Sequence, residues 1–473
     1  MIDSRKAAVV LLMLATLLTT CAIALHSPGH VSMDTSIQLY EASVGKSVSW
    51  NPPFMSALLK WLGGGEVATA FFVLICSVLT YLSLGFIAAN VLCKRAAIGN
   101  PRIGAWRVTL CALLLFNPVL FFYVGIVWKD VLFSSVMTAA TALSFAAAVS
   151  TPRRGFALAL VAAVLLAISM QVRQQGVFMA PILLLLPIAA TVGSRSLPRG
   201  PQAVAIVALV GAFLVSLLIT KMLVAESITG AGDASSSVGF RNIMIYDIAG
   251  IVARSDSKTE ALSVTISAEQ RIAVRRVYTS YRIDYLLADP AASAWLDGFT
   301  DRQRTHAWLS LIRHEPKAFL DHKWDAFRAV LDLNGLQNCL PVHIGVEGNS
   351  DYLRSVGIAE ARNTRDLLIY RVASWFFYWP IYRHWFYLLA LLGAVVAITV
   401  VRLPARLKAM CVVVSSASAV FYLSFLATTI ACDFRYLYGG IPLVTTLWIV
   451  LLAGGLPRHP TVFTKMEMKS VSG

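Results

Sequence analysis

Seven polar residues stand at the ends of long apolar runs in this chain: Asp34, Lys129, Asp130, Arg173, Asp433, Arg435 and Tyr436. Three are acids and three are bases, and they come from four separate loops. A carboxylate fixed at such a place can take the proton of an acceptor hydroxyl. Arginine and lysine hold phosphate oxygens, arginine through a planar fork. The combination suits an enzyme that works on a lipid-borne, phosphate-containing substrate at a membrane face. The apolar runs themselves carry almost no acid or base, whereas ion-coupled transporters keep ionisable groups near the bilayer midplane.

The runs that must position these residues define the class. The chain has 473 residues, of which 58% are hydrophobic and 14% charged, against about a quarter charged in a soluble protein. Apolar runs near 7–25, 67–92, 107–127, 131–150, 155–171, 177–192, 202–223, 386–401, 409–430 and 436–455 predict about ten transmembrane helices. An all-α polytopic membrane protein follows, because hydrocarbon cannot satisfy an open backbone. Asn117-Pro118 predicts a kink in the third run. The first run follows Arg5 and Lys6, and Ala22-Ile23-Ala24 resembles a signal-peptide cleavage site. Its length is greater than an ordinary signal core, which favours an uncleaved first span.

Charge supplies an orientation. With the N-terminus inside, the inner segments hold 16 basic residues, Arg195, Arg458, Lys465 and Lys469 among them, against the two acids Asp3 and Glu467. The long segment 225–384 holds 18 of each sign. Such a bias predicts cytoplasmic termini and an extracytoplasmic segment 225–384. It also accounts for the basic balance without nucleic acid, since no basic cluster joins a reading motif. Three parts result: a transmembrane module 1–224 with a first outer loop 26–66, a mainly helical soluble outer domain 225–384, and a transmembrane module with a basic tail, 385–473.

In the first loop, Thr35 and Gln38 form a capping-box pattern, with Ile37, Tyr40 and Val44 at helical spacing. After "SWNPPF", Phe54, Leu58, Trp61 and Leu62 share a face. Two amphipathic helices on the outer leaflet are expected, or a loop packed on the protein. In the outer segment, "ESITGAGDASSSVG" reads as a flexible lead-in, Ser267 and Gln270 as a helix cap, and Pro316 as a helix start. Phe319, Trp324, Phe327, Val330 and Leu331 are expected on one side of that helix. Trp375, Trp379, Tyr382 and Trp385 read as an interfacial belt. Cys339 and Cys432 fall on the outer side and are candidates to pair. His26 and His30 flank Pro28 and Gly29, which predicts a turn and not a shared helical face.

The order of short motifs resembles the GT-C superfamily of membrane glycosyltransferases, such as the protein mannosyltransferase and lipid A aminoarabinose transferase groups. The motifs are "SMDTSIQ" with Asp34, "WNPPF", "VWKDVLF" with Asp130, "MQVRQQG" with Arg173, and "CDFRYLYGGIP" with Asp433, Arg435 and Tyr436. Asn51 stands where a His is common before Pro-Pro, and Gln174-Gln175 replace a more usual pair. The resemblance implies a polyprenyl-phosphate sugar donor, an inverting transfer, and an acceptor that is a glycan, a lipid or a protein. Asp34 would serve as base or acceptor-positioning acid with Asp130 in support. Lys129, Arg173, Arg435 and Tyr436 would hold the donor phosphate. No cofactor is called for with certainty, and two acids are compatible with a divalent metal. Each residue also has a plainer reading. Asp34 starts a helix, Lys129-Asp130 marks a helix end, Arg173 solvates a loop, and Asp433-x-Arg435-Tyr436 anchors an aromatic belt. The rival functions are a surface-polysaccharide polymerase or ligase, which would rely on Arg271, Arg275 and Arg276, and a lipid or solute transporter.

Overall fold

Asp3 caps the first helix by accepting the backbone N–H groups of Arg5 and Lys6, and Ser4–His26 follows. Its buried face is Ala7, Leu11, Ala15, Leu18 and Ala22, at helical spacing. Small residues there let a second helix come close. A Cβ on Gly85 would lie 2.5 Å from the Ala15 methyl, so that position requires glycine. The structure, a computed structural model, describes residues 1–192, 199–230, 234–255, 267–333, 335 and 339–455. Arg195, Arg458, Lys465, Glu467, Lys469 and part of the Gly/Ser-rich lead-in lie outside the described residues.

Seven helices are long and apolar enough to cross a membrane: Ser4–His26, Gly65–Ala97, Ala105–Tyr123, Lys129–Val149, Pro152–Val172, Gly200–Ser227 and Ala405–Thr428. Three shorter apolar helices, Gly176–Val192, His384–Val400 and Gly440–Gly454, coincide with the other expected runs. Lys129–Val149 is the central helix, 89% buried in its apolar window, while Gly200–Ser227 is a rim helix, 11% buried. A π-helical turn at Val78–Leu82 interrupts the second span, where the Thr80 hydroxyl meets Ser135 at 2.8 Å. The third span breaks at Asn117, whose side chain accepts the Val119 N–H and caps a new helix with Pro118 in its first turn.

Contacts sort the loops into two sets. At one end, Ile2–Asp3 pairs antiparallel with Arg102–Ile103, Arg95 donates to the Gly455 carbonyl, and Arg406 donates to Ala148. At the other end lie the first loop, the 124–128 turn, the 173–175 turn, the helical domain and residues 429–439.

The helical domain has its own core, built from Ile245, Tyr246, Ile248, Val252, Val274, Leu286, Leu296 and Leu311. Capping boxes at Ser267/Gln270 and Thr300/Gln303 start two of its helices. The buried Asp247 accepts from Trp308 and from His322 at 3.0 Å, and forms an ion pair with Lys323 at 2.5 Å. Lys323 also donates to the Ala427 carbonyl at 2.7 Å, which joins this core to the end of the Ala405–Thr428 helix. Residues 339–383 turn back toward the spans: Tyr352 stacks on Tyr40, and Val346 bridges to Val31.

Four local expectations are corrected. The first-loop helix runs Met33–Val44 from an N-cap at Ser32, so Thr35 and Gln38 do not cap it. The Thr35 hydroxyl instead donates to the Val127 carbonyl at 2.6 Å, a long-range bond that outcompetes the local pattern. That helix packs on the protein through Thr35, Ser36, Gln38, Leu39, Glu41 and Ala42, and Val44 is exposed. Trp324 is exposed, because Ala318, His322, Lys323 and Ala326 form the buried side of the Pro316–Val330 helix. Tyr382 is buried between Phe377 and Phe434 and leaves the belt to the exposed Trp375 and Trp379. His26 and His30 do flank a turn, yet their rings meet, Nδ1 to Nε2, at 2.9 Å.

Candidate functional site

Asp34 sits in the first turn of Met33–Val44, where the helix dipole favours a carboxylate. Thr35 and Ser32 pin that turn, the latter by accepting the Trp128 indole N–H at 2.7 Å. The turn that follows Tyr123 ends at Trp128, and the central helix starts on Lys129 and Asp130. Arg173 closes the Pro152–Val172 helix in an extended conformation. Arg435 and Tyr436 ride on a short 3-10 helix, Phe434–Leu437, between two spans.

These elements bring the sequence candidates together. Arg435 Nη1 contacts Asp34 Oδ2 at 2.5 Å, and Arg173 Nη1 contacts Asp130 Oδ1 at 2.6 Å. The second contact is ionic and not an aligned hydrogen bond, so Asp130 Oδ1 has no hydrogen-bond donor among the described residues. Arg173 also donates to the Tyr436 carbonyl at 2.9 Å. The Tyr436 ring lies 5.9 Å from the Arg173 guanidinium and 5.3 Å from that of Arg435, so it sits against both cations. Arg435 further covers Trp128, and its Nε lies 3.8 Å from Asp433. Asp433 in turn binds Arg282 of the helical domain at 2.6 Å. Lys129 donates to the Asn51 side chain and covers the Trp50 ring.

Beside this network lies a cavity of 770 Å³. Lys129, Arg173 and Tyr436 line it, with Lys221 of the rim helix, Gln171, Gln174, Gln175, Trp50, Phe240 and residues 428–431. No carboxylate lines it among the described residues. Asp34, Asp130 and Arg435 are not part of its lining, and Asp34 keeps 34% of its side-chain surface accessible. In the network Lys129, Arg173, Arg435 and Arg282 stand against Asp34, Asp130 and Asp433, while the charged residues of the cavity wall are cations among the described residues.

Burial raises the Asp34 carboxyl, but the Arg435 guanidinium and the Lys129 ammonium outweigh it and hold the group below its ordinary value. Asp34 is a carboxylate across the physiological range. At Asp284 burial outweighs Arg282, and Asp433 adds to it, so that carboxyl is raised. For a metal the donor set is poor: among the described residues no group of three His, Cys, Asp or Glu gathers, and each site acid already faces an arginine.

Several lining and supporting residues escaped the sequence reading. Asn51, Gln174 and Gln175 stood inside the quoted motifs, where their departures from the usual pattern were the available signal. Arg282 and Lys221 carried no local signal, because only the tertiary fold brings them near residues 433 and 129. Cys339 and Cys432 do form a disulfide, one residue before Asp433. Compared with protein-family models, curated proteins and solved structures, the chain matches none.

Proposed function

We propose that the chain is an integral-membrane glycosyltransferase of GT-C type, which moves a sugar from a polyprenyl-phosphate donor to an acceptor glycan, lipid or protein. The helical domain and the site lie on the extracytoplasmic side, and the termini lie in the cytoplasm, most naturally of a bacterial inner membrane. One observation carries the reading: two arginine–aspartate pairs and Lys129 meet beside a cavity of 770 Å³ whose wall holds cations and no described carboxylate. Such a wall favours an anionic ligand, and arginine suits phosphate in particular.

In this reaction an acceptor oxygen bonds to the anomeric carbon while the bond from that carbon to the phosphate oxygen breaks. The electron pair leaves with the lipid phosphate, which Lys129 and Arg173 stabilise, with Tyr436 fixing both arginines. The acceptor proton passes to Asp34. With its pKa held below the ordinary carboxylate value, Asp34 is a weak base, so it chiefly orients the hydroxyl and takes the proton late. That is sufficient where the leaving group is already a stable phosphate.

The polymerase or ligase reading gains no comparable support. Arg271 and Arg275 donate to the Ser255 carbonyl, Arg276 pairs with Asp289, and none of the three lines the cavity. The deciding experiment is sugar transfer in membranes from a labelled polyprenyl-phosphate sugar. Asp34→Asn is expected to lower the rate at least about 100-fold at unchanged abundance. Full activity removes Asp34 from the mechanism. If Arg271→Ala, Arg275→Ala and Arg276→Ala abolish transfer while Asp34→Asn does not, the polymerase reading replaces this one.

A further inference from the structure

Lys129 reaches the cavity wall on a flexible four-carbon stem, and an ammonium that holds a phosphate binds best when its place is fixed beforehand. We infer that Glu41, buried outside the cavity lining, is the positioning residue that fixes Lys129 and so sets the affinity for the donor phosphate; the inference rests on the glycosyltransferase reading of the same site.

The contacts run from the first loop to the cavity. Lys129 donates to the Asn51 side chain, and its ammonium lies 5.2 Å from the centre of the Trp50 ring. Trp50, Pro52 and Pro53 line the cavity beside it. All four residues belong to the stretch between the helices Met33–Val44 and Phe54–Trp61, which has no helix of its own. Such a stretch keeps one shape only where its backbone groups find partners. Glu41 supplies them. Its Oε1 accepts the Val48 and Ser49 N–H groups, each at 2.8 Å, and its Oε2 accepts the Ser56 hydroxyl at 2.6 Å. The Ser49 hydroxyl in turn accepts the Asn51 N–H at 3.3 Å. Glu41 and Ser56 are fully buried, so one carboxylate ties the turn before Trp50 to the helix after Pro53. Bonds to an ionised acceptor are about twice as strong as neutral ones, and three converge here. The start of the stretch is pinned separately, where the Ser47 N–H donates to the Thr229 carbonyl at 3.0 Å.

Glu41 follows Asp34 by seven residues, two turns along the same helix. One helix thus carries the acid that faces the acceptor and, two turns on, the acid that shapes the phosphate side. Asp34 has its own supports in Arg435 and in the bonds of Ser32 and Thr35. Loss of Glu41 should therefore reach Lys129 and leave Asp34 in place.

The test measures binding of bare polyprenyl phosphate to the full chain in nanodiscs by native mass spectrometry, with donor KM and kcat from the sugar-transfer assay. Glu41→Ala should weaken binding about tenfold, as loss of one hydrogen bond to a charged group would. Donor KM should rise in step while kcat stays within about threefold. Glu41→Gln keeps an oxygen for the two N–H groups and should stay within about twofold of the native chain. A double-mutant cycle decides whether Glu41 acts through Lys129. Lys129→Met alone should cost about tenfold, and adding Glu41→Ala should then cost less than about twofold more. Losses that multiply overturn the inference, as does native-like binding by Glu41→Ala, or a fall in kcat at unchanged KM. If Glu41→Ala does not accumulate in the membrane, Ser56→Ala enters the same cycle. It removes one of the three bonds and should cost about threefold with Lys129 present and nothing with Lys129→Met; equal losses in both backgrounds overturn the inference. If the native chain binds no polyprenyl phosphate at all, the glycosyltransferase reading itself falls and takes this inference with it.

Discussion

The two arginine–aspartate pairs look alike in sequence and differ in depth. Asp130 and Arg173 are 1% and 4% exposed, Asp34 and Arg435 34% and 15%. Breaking a buried pair leaves an uncompensated charge and costs about 3–5 kcal/mol, whereas a pair open to water contributes about 1 kcal/mol or less. Asp130→Asn should therefore lower the unfolding temperature in detergent by several degrees more than Asp34→Asn, while Asp34→Asn does the greater harm to transfer. A second prediction follows from His322. Burial holds it below its ordinary value of 6.5 despite Asp247. Its folded form excludes a proton that the unfolded chain takes up, so its contribution is complete above that value and is lost as the pH falls below it. Unfolding temperature should drop between pH 7.5 and 5, and His322→Gln should flatten that drop. The site acids and bases were legible because a charge at the end of an apolar run is conspicuous. Arg282 was not, because nothing local distinguishes it from an ordinary surface residue.

The element that matters most is the stretch 427–437 between two spans. Its regular structure is slight, and the helical domain supplies its order. Lys323 holds the Ala427 carbonyl, the Ile283 N–H donates to Ile430 at 2.9 Å, Cys339 is bonded to Cys432, and Arg282 holds Asp433. The domain thus braces the cavity wall from Thr428 to Ala431 and the residues that carry Arg435 and Tyr436. Replacing Cys339 and Cys432 by serine should raise amide hydrogen exchange over 427–437 and weaken polyprenyl-phosphate binding. Exchange in Lys129–Val149 should not change. The long spans were legible at this scale from apolar length alone. The bracing was not, since its bonds join residues far apart in sequence. The same competition moved the first-loop cap from Thr35 to Ser32, when Val127 claimed the threonine hydroxyl.

At the scale of the molecule, the described loops form two sets of ends, one of which holds Arg95, Arg107 and Arg406. Single cysteines can report which side each set faces. With the other unpaired cysteines replaced, Ser355→Cys should react with an impermeant maleimide on intact cells. Thr151→Cys should react only after the membrane is opened. The reverse pattern would invert the orientation. Asp34 and its partner Arg435 are 401 residues apart in the chain. A ribosome makes Asp34 near the beginning of its work and Arg435 near the end. For most of translation the first loop carries Asp34 without its arginine, and the cavity lacks Tyr436 and the 428–431 part of its wall. A chain that ends before its last two spans therefore lacks Arg435 and Tyr436, and its Asp34 has no arginine to pair with.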